Sequence, residues 1–162
     1  MSKISVILGS DSDKNVYAGI ASTLEDLGLS HEKRIISAHR TPDILKSYVA
    51  EAEEKGIGVF IAVAGMAAAL PGVIASFTTC PVIGVPVASV SSTMGMDSLF
   101  SMVQMPPGVP VATVALNGGK NAAILAAEIL SLSDIKLAEK LKTAREKQRQ
   151  KVIEKDTAFM QE

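Results

Sequence analysis

A short segment of the chain, Ser37-Ala38-His39-Arg40-Thr41-Pro42, carries side chains suited to acid–base chemistry and to anion binding. Histidine has the side-chain pKa closest to physiological pH, so His39 is suited both to donate and to accept a proton. The guanidinium of Arg40 presents a planar fork of N–H donors that fits a phosphate or a carboxylate. Taken alone, the hexapeptide is equally consistent with a polar turn that caps a helix.

The hexapeptide lies between an apolar run and the start of a helix. Arg34-Ile35-Ile36 has β-type character, whereas Thr41-Pro42-Asp43 offers a hydroxyl cap, a proline at the first helical position and an acid in the first turn. Open α/β proteins bind ligands at such strand-to-helix turns, on the carboxyl edge of the sheet. We therefore expect His39 and Arg40 to face a ligand site at that edge.

Short β-type runs alternate with helical patterns along the chain. The five runs are Ile4–Leu8, Glu32–Ile36, Val59–Val63, Val82–Val85 and Val111–Ala115. Alternation of this length favours parallel strands joined by right-handed crossovers. The predicted fold class is α/β, namely a three-layer flavodoxin-like doubly wound parallel sheet of five strands with a long C-terminal helix.

Helical periodicity fills the intervals between the strands. Apolar residues recur at helical spacing in two sets, Val16, Ile20, Leu24 and Leu27, and Leu45, Tyr48, Val49 and Ala52. The nearly apolar segment Asn121–Leu130 predicts a buried helix. Since 162 residues suit one core, we expect a single domain over residues 1–162.

The last helix is predicted to be long. Ser133-Asp134 is a capping pair, and helical character continues to about Lys155, so the helix covers about residues 133–155. The apolar positions in register along it are Leu137, Leu141, Ala144 and Val152. Most other positions are charged or Gln, which indicates a solvated face rather than a nucleic-acid arm. A helix with so thin an apolar stripe can also reach a neighbouring subunit.

The loops that follow the predicted strands contain small and polar residues. Gly9-Ser10-Asp11-Ser12-Asp13 follows the first strand. Small residues let backbone amides approach a ligand, and helix N-termini favour anions. Ser10 and Arg40 are therefore candidates for phosphate binding. Asp13 is suited to accept hydrogen bonds from sugar hydroxyls, although its spacing fits a helix N-cap equally well.

Composition and missing motifs exclude several classes of protein. A net charge of −1 gives no reason to expect a nucleic-acid or membrane partner, and the single cysteine, Cys80, excludes an internal disulfide framework. The sequence has no Walker loop, GxGxxG motif, nucleophile elbow or metal-ligand cluster, since His31 is expected to lie far from His39. The first apolar run ends at Gly9 without a preceding charged segment, so we expect no signal peptide and a cytoplasmic location.

The segment from Gly56 to Met96 contains no Asp, Glu, Lys, Arg or His. Its part from Gly58 to Phe77 approaches the length of a membrane span, but glycine and proline interrupt it. We therefore interpret the segment as central parallel strands and their helix, buried on both sides. A surface without charge in a small domain also predicts contact with other subunits, and hence a homo-oligomer.

Several segments together resemble the class I PurE family, the 5-(carboxyamino)imidazole ribonucleotide mutases of purine biosynthesis. They run in family order over nearly the whole chain: Gly9–Asp13, Ser37–Pro42, Leu70-Pro71-Gly72, Gly84–Val87, Asp97-Ser98-Leu99, Gln104-Met105-Pro106 and Asn121-Ala122-Ala123. The resemblance implies a flavodoxin-like subunit in a homo-octamer, with active sites where subunits meet. It also implies a small-molecule ribonucleotide substrate, no metal or organic cofactor, and functional coupling to the upstream carboxyaminoimidazole ribonucleotide synthetase.

The resemblance further implies roles for individual residues. His39 is the general acid and base of a reaction that moves a carboxylate from the exocyclic nitrogen of the imidazole to its carbon-4. Ser10 and Arg40 hold the ribonucleotide phosphate, and Asp13 holds the ribose hydroxyls. The remaining predicted binding residues are Gly9, Ser12, Ser37, Gly65, Ala67, Ala68 and Leu70.

Two positions depart from the family pattern Ala-Gly-Gly-Ala-Ala-His-Leu-Pro-Gly. Met66 stands in place of a glycine, and Ala69 in place of the histidine. The class II enzymes, which carboxylate aminoimidazole ribonucleotide with free carbon dioxide, also lack that histidine, whereas Arg40-Thr41-Pro42 and Gln104-Met105-Pro106 match the mutases. A class II-type carboxylase is therefore one alternative. A non-catalytic flavodoxin-like module that binds a phosphoribosyl ligand is another.

Overall fold

The computed structural model of the protein describes residues 3–89 and 92–161, so the ends of the predicted domain and residues 90–91 lie outside the described residues. Five strands form one sheet: β1 (Ile4–Leu8), β2 (His31–Ile35), β3 (Val59–Gly65), β4 (Val82–Val87) and β5 (Ala112–Thr113). All neighbouring strands are parallel, in the order β2-β1-β3-β4-β5. This is the flavodoxin-like order, and the predicted fold class is confirmed.

In the described part of the chain, six α-helices connect and flank the strands. They are α1 (Lys14–Asp26), α2 (Pro42–Glu54), α3 (Leu70–Ala75), α4 (Met96–Val103), α5 (Gly119–Ser131) and α6 (Ile135–Phe159). The uncharged stretch from Gly58 to Phe77 forms β3 and α3 rather than one helix. Within the described parts of the chain, no helix is long and apolar enough to cross a membrane.

Strand bounds differ from the sequence prediction mainly at the carboxyl ends. β3 and β4 each run two residues further, to Gly65 and Val87, because both continue to pair with each other there. β5 is only two residues long, since it pairs with β4 alone at the edge of the sheet. The extended ends of β3 and β4 bring their following loops together.

Helices cover both faces of the sheet, which gives two apolar layers. On one face, the β-strands pack against Leu45 and Val49 of α2 and Met102 of α4. On the other face, Ile20 of α1 and Ala123 of α5 are fully buried. β1, β3 and β4 are buried along nearly their whole length, which explains why these strands read as continuous apolar runs.

The C-terminal helix packs only along its first half. Asp134 caps α6, and its carboxylate accepts hydrogen bonds from the backbone N–H groups of Lys136 and Leu137 (both 3.1 Å). Leu137 is buried, but Val152 is 66% exposed, so the expectation that Val152 continues the buried stripe is not met within one subunit. The helix also ends at Phe159, beyond the predicted limit near Lys155.

The expectation of a single domain over residues 1–162 stays a prediction.

The contact between α1 and α5 depends on a residue without a side chain. A Cβ atom on Gly119 would lie 2.5 Å from the carbonyl oxygen of Val16 and 3.0 Å from Cγ1 of Ile20. Backbone cannot yield as a flexible side chain can, so α1 and α5 would have to move apart.

We therefore expect Gly119→Ala to lower the free energy of unfolding by about 1–3 kcal/mol, as overpacked core sites do. Denaturant unfolding followed by circular dichroism measures this difference. Asn121→Ala is the matched control, because Asn121 lies in the first turn of the same helix and is exposed. Equal stability of the two variants would contradict the close approach of α1 and α5.

Candidate active site

One cavity of about 510 Å³ lies at the carboxyl edge of the sheet. It is lined by the loops that follow β1, β2, β3 and β4, as the parallel topology requires. All eleven residues predicted for the site line this cavity: Gly9, Ser10, Ser12, Asp13, Ser37, His39, Arg40, Gly65, Ala67, Ala68 and Leu70. The structure therefore brings the predicted residues together, while the role of each stays a prediction.

Hydrogen bonds between neighbouring strand ends hold the first two loops beside the third. The backbone N–H of Gly9 donates to the carbonyl of Val63 (2.9 Å), and that of Ile36 donates to the carbonyl of Leu8 (3.0 Å). The loop after β1 is thereby fixed between the loops after β2 and β3. This places the Ser10 segment next to the His39 hexapeptide.

The loop after β1 is a short 3₁₀ turn, Asp11–Asp13, that leads directly into α1. The hydroxyl of Ser10 accepts a hydrogen bond from the backbone N–H of Ser12 (3.3 Å), and the Asp13 carboxylate accepts one from the backbone N–H of Ser10 (3.2 Å). This reciprocal pair is a capping box. The sequence also predicted that Asp13 caps a helix. Asp13 does occupy the N-cap of α1, but its carboxylate accepts from the Ser10 N–H and not from the N–H groups of α1.

The hexapeptide turn orients Arg40 through Ser37. The Ser37 hydroxyl oxygen accepts hydrogen bonds from both the backbone N–H and Nε of Arg40 (3.3 Å each). The backbone N–H and the hydroxyl of Thr41 both donate to the Ser37 carbonyl (2.9 and 3.0 Å). Thr41 does occupy the N-cap of α2, but its hydroxyl bonds to Ser37 and does not cap the helix as predicted. His39 and Arg40 are both exposed in the turn.

The cavity has two chemically different walls. The β1 and β2 loops supply hydroxyl, carboxylate, imidazole and guanidinium groups, whereas the residues from Ala64 to Leu70 and Val87 supply apolar ones. No side chain in the β3 and β4 loops that line the cavity carries a charge. The arrangement suits a ligand with an anionic or hydroxylated part on one side and a planar apolar part on the other.

Six lining residues were not among those predicted: Ala38, Ala64, Met66, Ala69, Val87 and Ser89. Val87 is the last residue of β4, and Ser89 lies two residues further on. Had the sequence prediction extended β4 to Val87, it would have placed both residues at the carboxyl edge of the sheet. The carbonyl of Val87 accepts a hydrogen bond from the buried Ser98 hydroxyl (3.0 Å), which ties α4 to this end of the sheet.

The second histidine, His31, is part of a different environment. It is the first residue of β2, at the opposite end of that strand from His39, and its Nε2 lies 2.9 Å from the hydroxyl of Tyr17. Burial lowers the pKa of His31, and the nearby Lys33 lowers it further. No group of three or more His, Cys, Asp or Glu side chains suited to a metal ion occurs within residues 3–89 and 92–161.

Comparison with known proteins gives consistent results. A family model described as AIR carboxylase matches residues 3–151. The N5-carboxyaminoimidazole ribonucleotide mutase of Thermotoga maritima is 54% identical over 96% of this chain and 90% of that protein. The protein of the same name from Pyrococcus abyssi is 56% identical over 90% of this chain and 83% of that protein. The crystal structure of Treponema denticola PurE superposes with a TM-score of 0.88 at 36% identity and covers 96% of both chains.

Asp13 is a buried carboxylate, only 5% exposed. Burial raises the pKa of Asp13 above its ordinary value, hydrogen bonds from the Ser10 backbone and the Ser12 hydroxyl lower it, and the charge of Asp11 raises it. The net shift is upward, so the folded protein holds the Asp13 anion less favourably than the unfolded chain does. Folded-state stability therefore falls as the pH rises from the ordinary value of 3.8 through the raised pKa, and the cost is complete above it.

We expect Asp13→Asn to raise the thermal unfolding midpoint at pH 7, because it removes the buried charge and keeps an oxygen for the Ser10 N–H. The difference from the unaltered protein should shrink as the pH is lowered towards 3.8. Thermal melts between pH 7 and pH 4 measure it, with Asp11→Asn as an exposed neighbouring control. A difference that does not depend on pH would contradict this account of Asp13.

Proposed function

The chain belongs to the AIR carboxylase family, in its class I PurE branch, and from this premise we propose that it catalyses the N5-carboxyaminoimidazole ribonucleotide mutase reaction. The resemblance read from the sequence is confirmed, and the protein is an enzyme of the isomerase type. The reaction moves a carboxylate from the exocyclic nitrogen of the imidazole to carbon-4. The single observation that carries the proposal is the cavity shared by His39, Arg40, Ser10 and Asp13, whose opposite wall is uncharged.

The polar wall supports binding of a ribonucleotide. Arg40 has its Nε held by the Ser37 hydroxyl, so its terminal N–H groups stay available for a phosphate. The Ser10 hydroxyl lines the same cavity, and its hydrogen bond to the Asp11 carboxylate is long (3.4 Å), so it can turn to donate to that anion instead. The Asp13 carboxylate is suited to accept hydrogen bonds from ribose hydroxyls. A bound sugar would also restore hydrogen-bond donors to a carboxylate that burial removes from water.

His39 supplies the proton chemistry in this proposal. As the bond between the exocyclic nitrogen and its carboxylate breaks, carbon dioxide forms and the imidazolium of His39 donates a proton to that nitrogen. Carbon-4 then bonds to the carbon dioxide, and the neutral His39 takes the proton that carbon-4 loses. One group thus acts first as acid and then as base, and the net reaction is an isomerisation.

The apolar wall supports the retention of carbon dioxide between these two steps. A neutral, apolar molecule gains nothing from charged groups, and water in the site would let it escape. The segment from Gly65 to Leu70 lines the cavity without one charged side chain. Gly65, Ala67, Ala68 and Leu70 are therefore assigned to the pocket for the base and the carboxylate.

The proposal includes assembly and location. We expect a single domain in a cytoplasmic homo-octamer, with sites completed where subunits meet, coupled in function to the upstream carboxyaminoimidazole ribonucleotide synthetase. The exposed apolar residues of a single subunit support assembly. They include Ile35, Ile44, Met94, Met96, Phe100 and Val103. So many large apolar side chains on one small domain are typical of a surface that another subunit covers.

Replacing His39 by asparagine tests the role of the imidazole. We expect His39→Asn to lower kcat for the carboxyamino substrate by about 10²–10⁴-fold, the usual contribution of a general acid–base group. KM and the oligomer mass should change little, because neither depends on proton transfer. His31→Asn is the matched control, since His31 lies outside the cavity and contacts Tyr17. Undiminished turnover by His39→Asn would defeat the mechanism.

The alternative function, a class II-type carboxylase, is favoured by Ala69, which lines the cavity at the position where the mutases carry histidine. A mutase forms product from the carboxyamino substrate at a rate that does not depend on added bicarbonate. A carboxylase forms product from the uncarboxylated aminoimidazole ribonucleotide in proportion to dissolved carbon dioxide. We expect the first behaviour, and initial rates with each substrate across a bicarbonate series measure it. Efficient turnover of the uncarboxylated substrate alone would establish the carboxylase instead.

A further inference from the structure

Met66 occupies a backbone position that favours glycine. It directly follows β3 and has a φ of +54°, in the left-handed region. The backbone N–H of Ala68 donates to the carbonyl of Gly65 (3.1 Å), so Met66 is the first inner residue of a tight turn. Positive φ at that position marks the primed turn types, in which glycine prevails because it has no Cβ.

Met66 lines the cavity and is 53% exposed. Its side chain is much the longest among residues 64–69, since the others are alanines and one glycine. A long apolar side chain is thus kept at a strained position, beside the site and only half covered by its own subunit. Methionine is flexible, and its thioether makes favourable contacts with aromatic rings, so it is suited to close over a planar heterocycle.

The presence of alanine at position 69 increases the importance of the Met66 side chain for closing the apolar wall. Ala69 lines the same cavity and offers neither a proton nor a hydrogen bond to a carboxylate. A wall without a polar group cannot hold a migrating carboxylate in place by charge, so retention depends on how well the wall excludes water. Among the described lining residues on this wall, Met66 has the greatest freedom to move towards the ligand, because Leu70 is 2% exposed and already packed in the core.

We propose that Met66 is a specificity-determining residue that covers the imidazole of the bound ribonucleotide and keeps released carbon dioxide in the site. This inference rests on the proposed mutase function and deepens it. After the nitrogen–carbon bond breaks, carbon dioxide either bonds to carbon-4 or leaves to solvent. The second outcome leaves the uncarboxylated aminoimidazole ribonucleotide, with its exocyclic nitrogen protonated. The side chain of Met66 sets the ratio of these outcomes.

Three substitutions separate the side chain from the backbone. Met66→Gly removes the side chain and relieves the positive φ, Met66→Ala removes the side chain and keeps the strain, and Met66→Leu keeps the apolar bulk. The ratio of 4-carboxylated product to uncarboxylated ribonucleotide is measured from the carboxyamino substrate after subtraction of its enzyme-free breakdown. Incorporation of carbon from ¹³C-bicarbonate into the product gives an independent measure of escape.

We expect Met66→Gly and Met66→Ala to lower the product ratio by about tenfold or more, as loss of one large apolar contact does. Incorporation of ¹³C should rise in both variants. Met66→Leu should restore most of the ratio. Met66→Gly should unfold at a temperature at least as high as the unaltered protein, so that its altered ratio is not a consequence of poor folding.

An unchanged ratio in both Met66→Gly and Met66→Ala would overturn this inference and leave the mutase function standing. A product ratio for Met66→Leu as low as that of Met66→Ala would overturn the argument that the apolar bulk of the side chain retains carbon dioxide. If the unaltered protein forms no carboxylated product from the carboxyamino substrate, the proposed function fails, and the role of Met66 fails with it. The two failures are therefore distinguished by the unaltered protein alone.

Discussion

The parallel register of β1, β2 and β3 is the constraint on which the rest of the structure depends. Because the hydrogen bonds from Gly9 to Val63 and from Ile36 to Leu8 lie at the carboxyl ends of these strands, three loops leave the sheet at the same level. The three loops therefore surround one cavity. One carries hydroxyl and carboxylate groups, one carries a histidine and an arginine, and one is apolar. Side chains 26 residues apart in sequence, such as those of Asp13 and His39, line one cavity for this reason.

Asp13 shows how the proposed binding role and the stability of the fold oppose each other at this cavity. Its carboxylate is buried, and burial raises its pKa, so the empty protein is less stable with Asp13 ionised than with it protonated. The capping interaction with the Ser10 backbone offsets part of this cost and fixes the turn. The remaining cost is consistent with a group placed to receive donors from a ligand, since functional sites commonly retain such unfavourable charges.

The uncharged segment from Gly56 to Met96 serves the core and the site together. Its strands β3 and β4 are buried between two layers of helices, and its loops form the apolar wall of the cavity. Burial on both faces requires apolar strands, whereas a wall that must exclude water requires apolar loops. For this reason the uncharged sequence extends beyond the strands into the loop that contains Met66 and Ala69. The same property suits contact with neighbouring subunits, which the assembly proposed here would supply.

The sequence by itself determined the fold class, the order of elements and the residues that line the cavity. Periodicity placed the strands within about two residues and predicted α1, α2, α5 and α6 on the correct segments, and every predicted site residue lines the cavity. This succeeded because alternating β and α segments leave few topologies, and because a parallel sheet gathers its carboxyl ends at one edge. Local hydroxyl and acid patterns also marked the correct turns.

Only the tertiary structure decided what those patterns do. Thr41 looked like a capping hydroxyl, but the fold of the turn brings its hydroxyl to the Ser37 carbonyl. Val152 fits the apolar register of α6, yet it is 66% exposed in the subunit. Val87 and Ser89 line the cavity because pairing with β3 extends β4. The positive φ of Met66 and the burial of Asp13 likewise follow from how the loops close against each other. Such outcomes depend on contacts between distant segments, whereas periodicity records only the preferences of neighbours along the chain.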